Sequence, residues 1–587
     1  MASKPRHLIL SSDMATWKFD QPVLFLGKWC LREQDRSIWE NMNAVIASPI
    51  GENSDERYEL FQKARLLEAQ LFPRITQALN SFHRYSYDDR YWKIILGHWF
   101  RETISLLINR IETIERCFAD YKVSSLTIYK NQKLQFAESN YTKTLLTAND
   151  NYWNTKLFNR IIDLLGTKNI KIEEIPPIIN SVERHPINIR RTKIHKLRKL
   201  NFVTNKFARK SDALIINSYL PLKSELFLNM ALCQFPQLRI SPIVSEFPKI
   251  NEDIRLILSE QIRTESKNTT ELIISSLLFE LMPICYLEGF KNLVKASEST
   301  GWPSDPKFIF SSNNFVSDDV FKVWTAEKVA KGVPYFAGQH GNNYGTNKYL
   351  GQTIEEITSD KFLTWGWKQK LPQHTPAFIF KNVSNPPIQD FKVQGIILIE
   401  NLLIPRIQVW DQAAEFDKYM LEQFRFVTSI NGEIRDYLTV RLHVAHTEML
   451  GEDELRWLNF DEKIKLDRGE APIRELWLNN RLIVHSYDST GMLETLEANR
   501  PTIAFWQGGL DHLVEDAIPY YQLLIDAGIV YLTPESAALK INQVWNEVEN
   551  WWKSREVQDA REIFCHQYAR SSKKPIRDLK KILLENL

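Results

Sequence analysis

The chain has 587 residues, enough for about two to four domains with real cores. It is 44% hydrophobic and 25% charged and carries 17 Trp, a composition that excludes disorder. A formal net charge of +2 excludes a global field that would recruit nucleic acid or a membrane.

The five cysteines, Cys30, Cys117, Cys233, Cys285 and Cys565, are odd in number and widely spaced. They form no disulfide framework and no CxxC pair, which points to a reducing cytoplasm. The N-terminal "MASKPRHLILSSDM" has a short apolar run broken by Ser and Asp, so it does not read as a signal peptide. The most apolar helical stretch, Glu271–Leu287, carries Glu280 and Pro283 and reads as a buried helix rather than a membrane span. If the protein serves a membrane pathway, it does so peripherally, at the inner membrane.

In chain order, "RHLILSS" and "PVLFLGKWC" read as short strands, the second ending at Gly27. From Asp55 to about Asp120 apolar residues recur at three- and four-residue spacing, a helical pattern. Helix also dominates from Asn140 to Thr300, broken by the strand candidate "DALIINSY" (Asp212–Tyr219). From Lys307 the grammar changes. "KFIFSSNNF" reads as a strand, "DDVFKVWTAEKVAKG" as a helix ended by Gly332, and "VPYFAGQHGNNYG" as a strand running into a polar loop. This is a β–α–β unit of a parallel sheet. The prolines of "NPPIQDFKVQ" (Asn385–Gln394) mark a linker. A second β–α series follows, through "GIILIENLLI", "YLTVRLHV", "RLIVHSY", "PTIAFW" and "GIVYLT", and the tail is helical.

The expected fold is α/β, with two Rossmann-like halves facing a cleft. Residues 1–385 form an N-terminal half on the acceptor side, with a helical insertion over about 55–300. Residues 390–550 form a nucleotide-donor half, and 551–587 are C-terminal helices. Ligands of open parallel sheets bind beyond the C-terminal ends of the strands, so functional residues are sought there.

Four stretches meet that rule. "RLIVHSYDSTGMLETLEANRPTI" delivers Ser489, Thr490 and Gly491 to the mouth of a helix. Hydroxyls there cap free N–H groups in any helix, and the same N–H groups suit a phosphate. Gly491 permits close approach of a ligand to the backbone. Glu494 lies one turn in, on the face of Thr490, within reach of sugar hydroxyls beside a bound phosphate. In "FAGQHGNNYG", Gln339, His340 and Gly341 follow a strand directly, and a neutral imidazole suits proton abstraction from a sugar hydroxyl. A structural histidine in a tight turn reads equally well. "TVRLHVAH" places Arg441 at a strand end, where a guanidinium grips a diphosphate or belongs to an ordinary surface pair. "FLGKWC" offers Gly27 and Lys28 as an acceptor-facing loop or a plain turn. The Trp residues of "KFLTWGWKQK" fit a core and a stacking platform alike.

The stretch Ile189–Lys210 holds nine Lys/Arg, compatible with anionic headgroups or with a solvated face, and no nucleic-acid signature accompanies it. P-loop, GxGxxG, HExxH, GxSxG and zinc-ligand patterns are missing from the sequence, so neither a cofactor nor a metal is implied.

"LETLEANRPTI" resembles the "LEAxxxGxPVI" pattern of GT-B glycosyltransferases, with Glu494 seven residues before Pro501 and without the usual glycine. In that class the glutamate holds the ribose of a nucleotide donor and the preceding helix N-terminus holds its phosphates. "TWKFDQPVLFLGKWC", "RYWKIILGHWF", "GQHGNNYGTNKY", "FLTWGWKQK", "YDSTGMLETLEANRPTI" and "WWKSREVQDAREIFCHQYA" together resemble a bacterial family of surface-polysaccharide transferases first named from a leptospiral locus. The resemblance implies a GT-B-like enzyme of O-antigen or capsule assembly. It places His340 in the family's Gln-His-Gly block and Ser489, Thr490 and Glu494 in its Ser-Thr-Gly/Glu block.

The expected function is an inverting, metal-independent glycosyltransferase. A nucleotide sugar is its donor and a glycan or lipid-linked molecule its acceptor. Arg441, Ser489, Thr490 and Gly491 would hold the donor, and His340 would be the base on the acceptor hydroxyl or else steady the departing phosphate. Two alternatives stay open: a CDP-linked polyol-phosphate transferase, and a non-enzymatic partner of the polysaccharide machinery.

Overall fold

The computed structural model describes residues 4–585 except 131–135, 167–169, 177–206, 238, 245, 384–390, 402–406, 444–451, 470 and 507. The basic stretch Ile189–Lys210 lies outside the described residues up to residue 206, as does the Asn385–Gln394 linker up to residue 390.

Among the described residues the strands form three sheets, parallel throughout. β1 (Arg6–Ile9), β2 (Val23–Phe25), β3 (Ala44–Ile46), β4 (Val123–Tyr129) and β5 (Lys171–Ile175) form the first, in the order β3-β2-β1-β4-β5. β6 (Leu214–Ile215), β7 (Ile309–Ser311), β8 (Tyr335–Gly338), β9 (Lys361–Thr364) and β10 (His374–Pro376) form the second, in the order β10-β9-β8-β7-β6. β11 (Ile396–Ile399), β12 (Leu438–Arg441), β13 (Lys465–Asp467), β14 (Leu482–His485), β15 (Thr502–Phe505) and β16 (Val530–Tyr531) form the third, in the order β13-β12-β11-β14-β15-β16.

The region 1–385, read from sequence as one half with a helical insertion, therefore holds two sheets. The stretch taken as an insertion is interrupted by β4, β5 and β6. Its helical opening is the crossover from β3 to β4: two long helices, Ser54–His83 and Asp89–Asp120. Asn53 and Asp88 cap them, each side chain accepting an N–H of the first turn. The second helix buries Ile114 and Cys117 against the first sheet. It also packs along the Asp319–Val329 helix beside the second sheet.

Strand alternation sets the second sheet between two cores. Leu214, Ile309, Tyr335 and Phe362 face one; Ile215, Phe310, Phe336 and Leu363 face the other. The first of these cores is shared with the third sheet. Tyr344, Trp365 and Trp367 pack there with Met492, Leu493 and Leu496 of the Thr490–Glu497 helix, and with Tyr521 and Phe564. Burying each of those three aliphatic side chains contributes about 1.5–3 kcal/mol. Trp365 and Trp367 are thus core residues, each 1% exposed.

The C-terminal helices return to the second sheet. Arg570 N–H donates to the Trp365 carbonyl at 2.9 Å, and Ile379 N–H to the Arg570 carbonyl at 2.9 Å. Leu579 and Leu583 of the Pro575–Leu584 helix join the second sheet's outer core. Among the described residues no helix is long and apolar enough to cross a membrane.

Candidate functional site

Parallel sheets open a crevice where neighbouring strands send their connections to opposite sides. The strand orders put one such point between β1 and β4 and another between β11 and β14. The first is filled by the protein itself. Ser11 Oγ accepts from Thr155 Oγ1 at 2.8 Å, Trp17 Nε1 donates to the Ser11 carbonyl at 3.1 Å, and Trp29 Nε1 to that of Leu10 at 3.1 Å. At the second, Tyr419 seals the floor: its hydroxyl accepts from Asn401 N–H at 2.7 Å and meets Ser486 Oγ at 2.7 Å. Above that floor β14 runs out into Asp488–Gly491.

Ser489 is the N-cap of the Thr490–Glu497 helix, accepting Met492 N–H at 3.0 Å. Its hydroxyl also meets Nδ1 of His485 at 3.2 Å. His485 is fully buried, and burial pushes its pKa down to about 3. A Cβ on Gly491 would stand 2.8 Å from Cε1 of this ring, so the close packing of ring and helix requires glycine. Capping leaves the N–H groups of Thr490 and Gly491 without partners among the described residues, at the positive end of the helix dipole.

From the second sheet, β8 delivers Gln339, His340 and Gly341. Gln339 is 1% exposed and wholly structural: its Oε1 accepts from Trp365 N–H and Trp367 Nε1, both at 2.8 Å, and its Nε2 donates to the Gly341 carbonyl at 2.9 Å. This fixes the loop that carries His340. The imidazole is half-buried, among the rings of Phe315, Tyr219 and Tyr344. Its Nδ1 lies 3.0 Å from the Tyr344 hydroxyl, and Nε2 has no partner among the described residues. Burial, reinforced by the charge of Lys381, pushes its pKa down to about 4, so the ring is neutral at physiological pH.

The two loops meet. Asn342 N–H donates to Thr490 Oγ1 at 2.9 Å, and Asn342 Nδ2 to Asp488 Oδ1 at 2.6 Å. A Cβ on Gly341 would lie 3.1 Å from Thr490 Oγ1, a tight contact. Asp488 also accepts from His512 Nε2 at 3.0 Å and from the Tyr521 hydroxyl at 3.0 Å. Beside this clamp, Lys381 Nζ lies 3.2 Å from Glu494 Oε1 and 4.8 Å from the centre of the Tyr219 ring. Tyr219 in turn flanks His340, with ring centroids 6.1 Å apart. Thr490, Gly491, Glu494, Lys381, Tyr219 and His340 are all half-buried, so this junction of the second and third sheets is reached by solvent rather than sealed in a core.

Of the residues singled out from sequence, His340, Gly341, Ser489, Thr490, Gly491 and Glu494 come together here. Arg441 does not. Register places it level with His485 but two strands away, both flanking Ile399. Its guanidinium is engaged by Asp467 and by the Ala471 carbonyl. Gly27 and Lys28 follow β2 of the first sheet, at the start of a short helical turn. Gly27 makes room for the Trp29 ring, and Lys28 Nζ pairs with Asp417 Oδ2 at 3.1 Å. Sequence reasoning missed Lys381, Tyr219, Asn342 and His512. Asn342 sat in a quoted loop; the others carry no local motif.

The fold and site thus define an α/β protein with opposed polar loops at strand C-terminal ends, where such proteins bind ligands. The model of the LIC12162 family transferases matches residues 6–583, and the chain belongs to that family of transferases. No curated protein matches it. Among solved structures it is similar to the spinosyn rhamnosyltransferase SpnG complexed with spinosyn aglycone, with 9% identity and a TM-score of 0.31 over 63% of this chain and 100% of that one.

Proposed function

We propose that this transferase moves a sugar from a nucleotide donor to a hydroxyl acceptor in the opening between the second and third sheets. The observation that carries the reading is the joining of the His340 loop, through Asn342 N–H on Thr490 Oγ1, to the mouth of a helix whose Thr490 and Gly491 N–H groups have no partner among the described residues. One wall can take a proton while the other holds negative charge, which is what displacement of a nucleotide by a hydroxyl demands.

In this reading the donor diphosphate sits at the N-terminus of the Thr490–Glu497 helix, with the Lys381 ammonium beside it. Glu494, adjacent to Lys381, holds the ribose. His340 Nε2 accepts the proton of the acceptor hydroxyl as its oxygen attacks the anomeric carbon from the face opposite the departing phosphate, so configuration inverts. Ser489 serves by capping the helix. Arg441 is left out of the grip because Asp467 already holds it. Glu497, whose pKa burial pushes up to about 7, supports the rim through Asn382 Nδ2 at 2.8 Å. A place in O-antigen or capsule assembly rests on the sequence resemblance.

Incubation with a panel of nucleotide sugars and CDP-linked polyol phosphates, with a chelator present, tests the reading. Release of UDP, GDP or another nucleoside diphosphate from a sugar donor is the expected result. Release of CMP from a CDP-polyol would move the group transferred from sugar to polyol phosphate. Binding of no nucleotide at all would favour a non-enzymatic role.

A further inference from the structure

We infer that Tyr344 and Glu355 are positioning residues that fix the tautomer of His340, so that its Nε2 presents a lone pair to the opening. The inference rests on the reading of His340 as base.

It follows from counting protons. Tyr344 lies four residues beyond His340, 6% exposed, with its hydroxyl between Nδ1 of His340 at 3.0 Å and the carboxylate of Glu355. Glu355 belongs to the Ile354–Thr358 helix and is 2% exposed. A phenol has one proton to donate, and an ionised carboxylate only accepts. The Tyr344 proton therefore goes to Glu355, and the phenol oxygen accepts from His340. Nδ1 must carry the imidazole proton, which leaves Nε2 bare. When Nε2 takes a proton from the acceptor, Nδ1 keeps donating to Tyr344, with the negative charge of Glu355 behind it. Burial and that charge hold Tyr344 well above the ordinary phenol range, so it stays a phenol throughout.

The surroundings support this direction. His98 Nε2 lies 3.4 Å from Glu355 Oε2, and burial drives its pKa well below the ordinary value, so it places no cation behind the relay. Arg101, which favours the ionised form of Glu355, is itself bound to Glu68 and to the Gln352 carbonyl. Glu356 is occupied by His374 Nε2 at 3.0 Å and by Thr353 N–H. Tyr219 and Lys381 also stand near His340. Burial pushes Glu355 up to about 7. Once protonated, it donates to Tyr344, Tyr344 donates to Nδ1, and the neutral ring exchanges its proton to Nε2, where it can no longer act as base. The relay is therefore directed toward catalysis on the alkaline side of about pH 7 and away from it on the acid side.

Histidine-selective 15N labelling reads the tautomer without any substrate. At pH 8 the wild-type His340 should show a protonated Nδ1 and a bare Nε2, and in Tyr344→Phe that preference should disappear. With a donor identified, Tyr344→Phe should lower kcat about 10- to 100-fold at unchanged KM. Glu355→Gln should remove the loss of kcat that the wild type shows as pH falls through about 7. A protonated Nε2 in wild type at pH 8 overturns the inference, as does an unchanged tautomer in Tyr344→Phe. Should Tyr344→Phe not fold, Glu355→Gln decides, since retention of the same acid limb contradicts the relay. The expected tautomers without transfer from any donor would leave the relay standing and defeat the proposed function instead.

Discussion

Two seams hold the third sheet to the rest of the molecule, and they are built differently. Toward the first sheet the side-chain pairs are ionic and partly exposed: Lys28 with Asp417 at 3.1 Å, and Arg32 with Glu452 at 3.1 Å, whose carboxylate also takes Glu33 N–H at 2.5 Å. Where the chain passes Ile50 this side is buried, with Asp411 N–H on the Ile50 carbonyl at 3.0 Å and Val409 in the helical core. Toward the second sheet the contacts are buried. Asp488 gathers Asn342, His512 and Tyr521, Val514 N–H donates to the Thr346 carbonyl at 2.7 Å, and an apolar core runs beneath. Exposed pairs contribute little and are screened by salt; buried charged hydrogen bonds fix one arrangement and cost much to break. The rigid seam is the one that carries His340 and the open helix N-terminus. Opposed groups that must hold reacting atoms within ångströms need such a frame.

The largest effect expected from breaking this contrast is at Asp488. Asp488→Ala leaves Asn342, His512 and the Tyr521 hydroxyl without their buried acceptor and should destabilise by about 3 kcal/mol. Denaturation followed by the fluorescence of Trp365, Trp367 and Trp506 in the shared core would measure it.

A pH-dependent effect, seen only in acid, is expected at His485. Its folded pKa of about 3 lies below the ordinary 6.5, so below pH 6.5 the unfolded chain binds a proton that the folded chain refuses. Wild type therefore loses this stability progressively as pH falls from about 6.5 to 3. His485→Asn lacks the loss, and its deficit against wild type should shrink over that window in parallel melts.

The smallest effect is expected at the ionic seam. Lys28 and Asp417 have side chains 40% and 28% exposed, so Lys28→Ala should cost at most about 1 kcal/mol, less in high salt, with transfer unchanged. Loss of transfer in that variant would return Lys28 to the acceptor-facing role its sequence context suggests.

The strands that carry the site were legible because buried parallel strands read as unbroken apolar runs that stop at polar residues. β8 before His340 and β14 before Asp488 are both of this kind. Of the first sheet, β1 and β2 were legible as apolar runs and the other three strands were not. β3 is three residues long, and β5, "KIEEI", is a largely exposed edge without an apolar run. β4, "VSSLTIY", lies between long helical stretches whose periodicity dominates any window. Hence two sheets appeared as one half with an insertion. Within the site, Ser489, Thr490 and Glu494 could be placed by helix geometry. Lys381 and Tyr219 could not, because each meets its partner more than a hundred residues away, Lys381 with Glu494 through the packing of two sheets and Tyr219 with His340 across the second sheet. Arg441 shows the opposite case. Its strand-end position was legible, but its partner Asp467 on the neighbouring strand was not.

The most direct test of the account is the donor panel repeated on His340→Ala, with nucleotide affinity measured by calorimetry in the same samples. The account predicts nucleotide binding within a few-fold of wild type and transfer reduced by about 100- to 10,000-fold, because the donor is held by the Thr490–Glu497 helix and only the base is removed. Full transfer by His340→Ala, or loss of nucleotide binding with its fold intact, would contradict it.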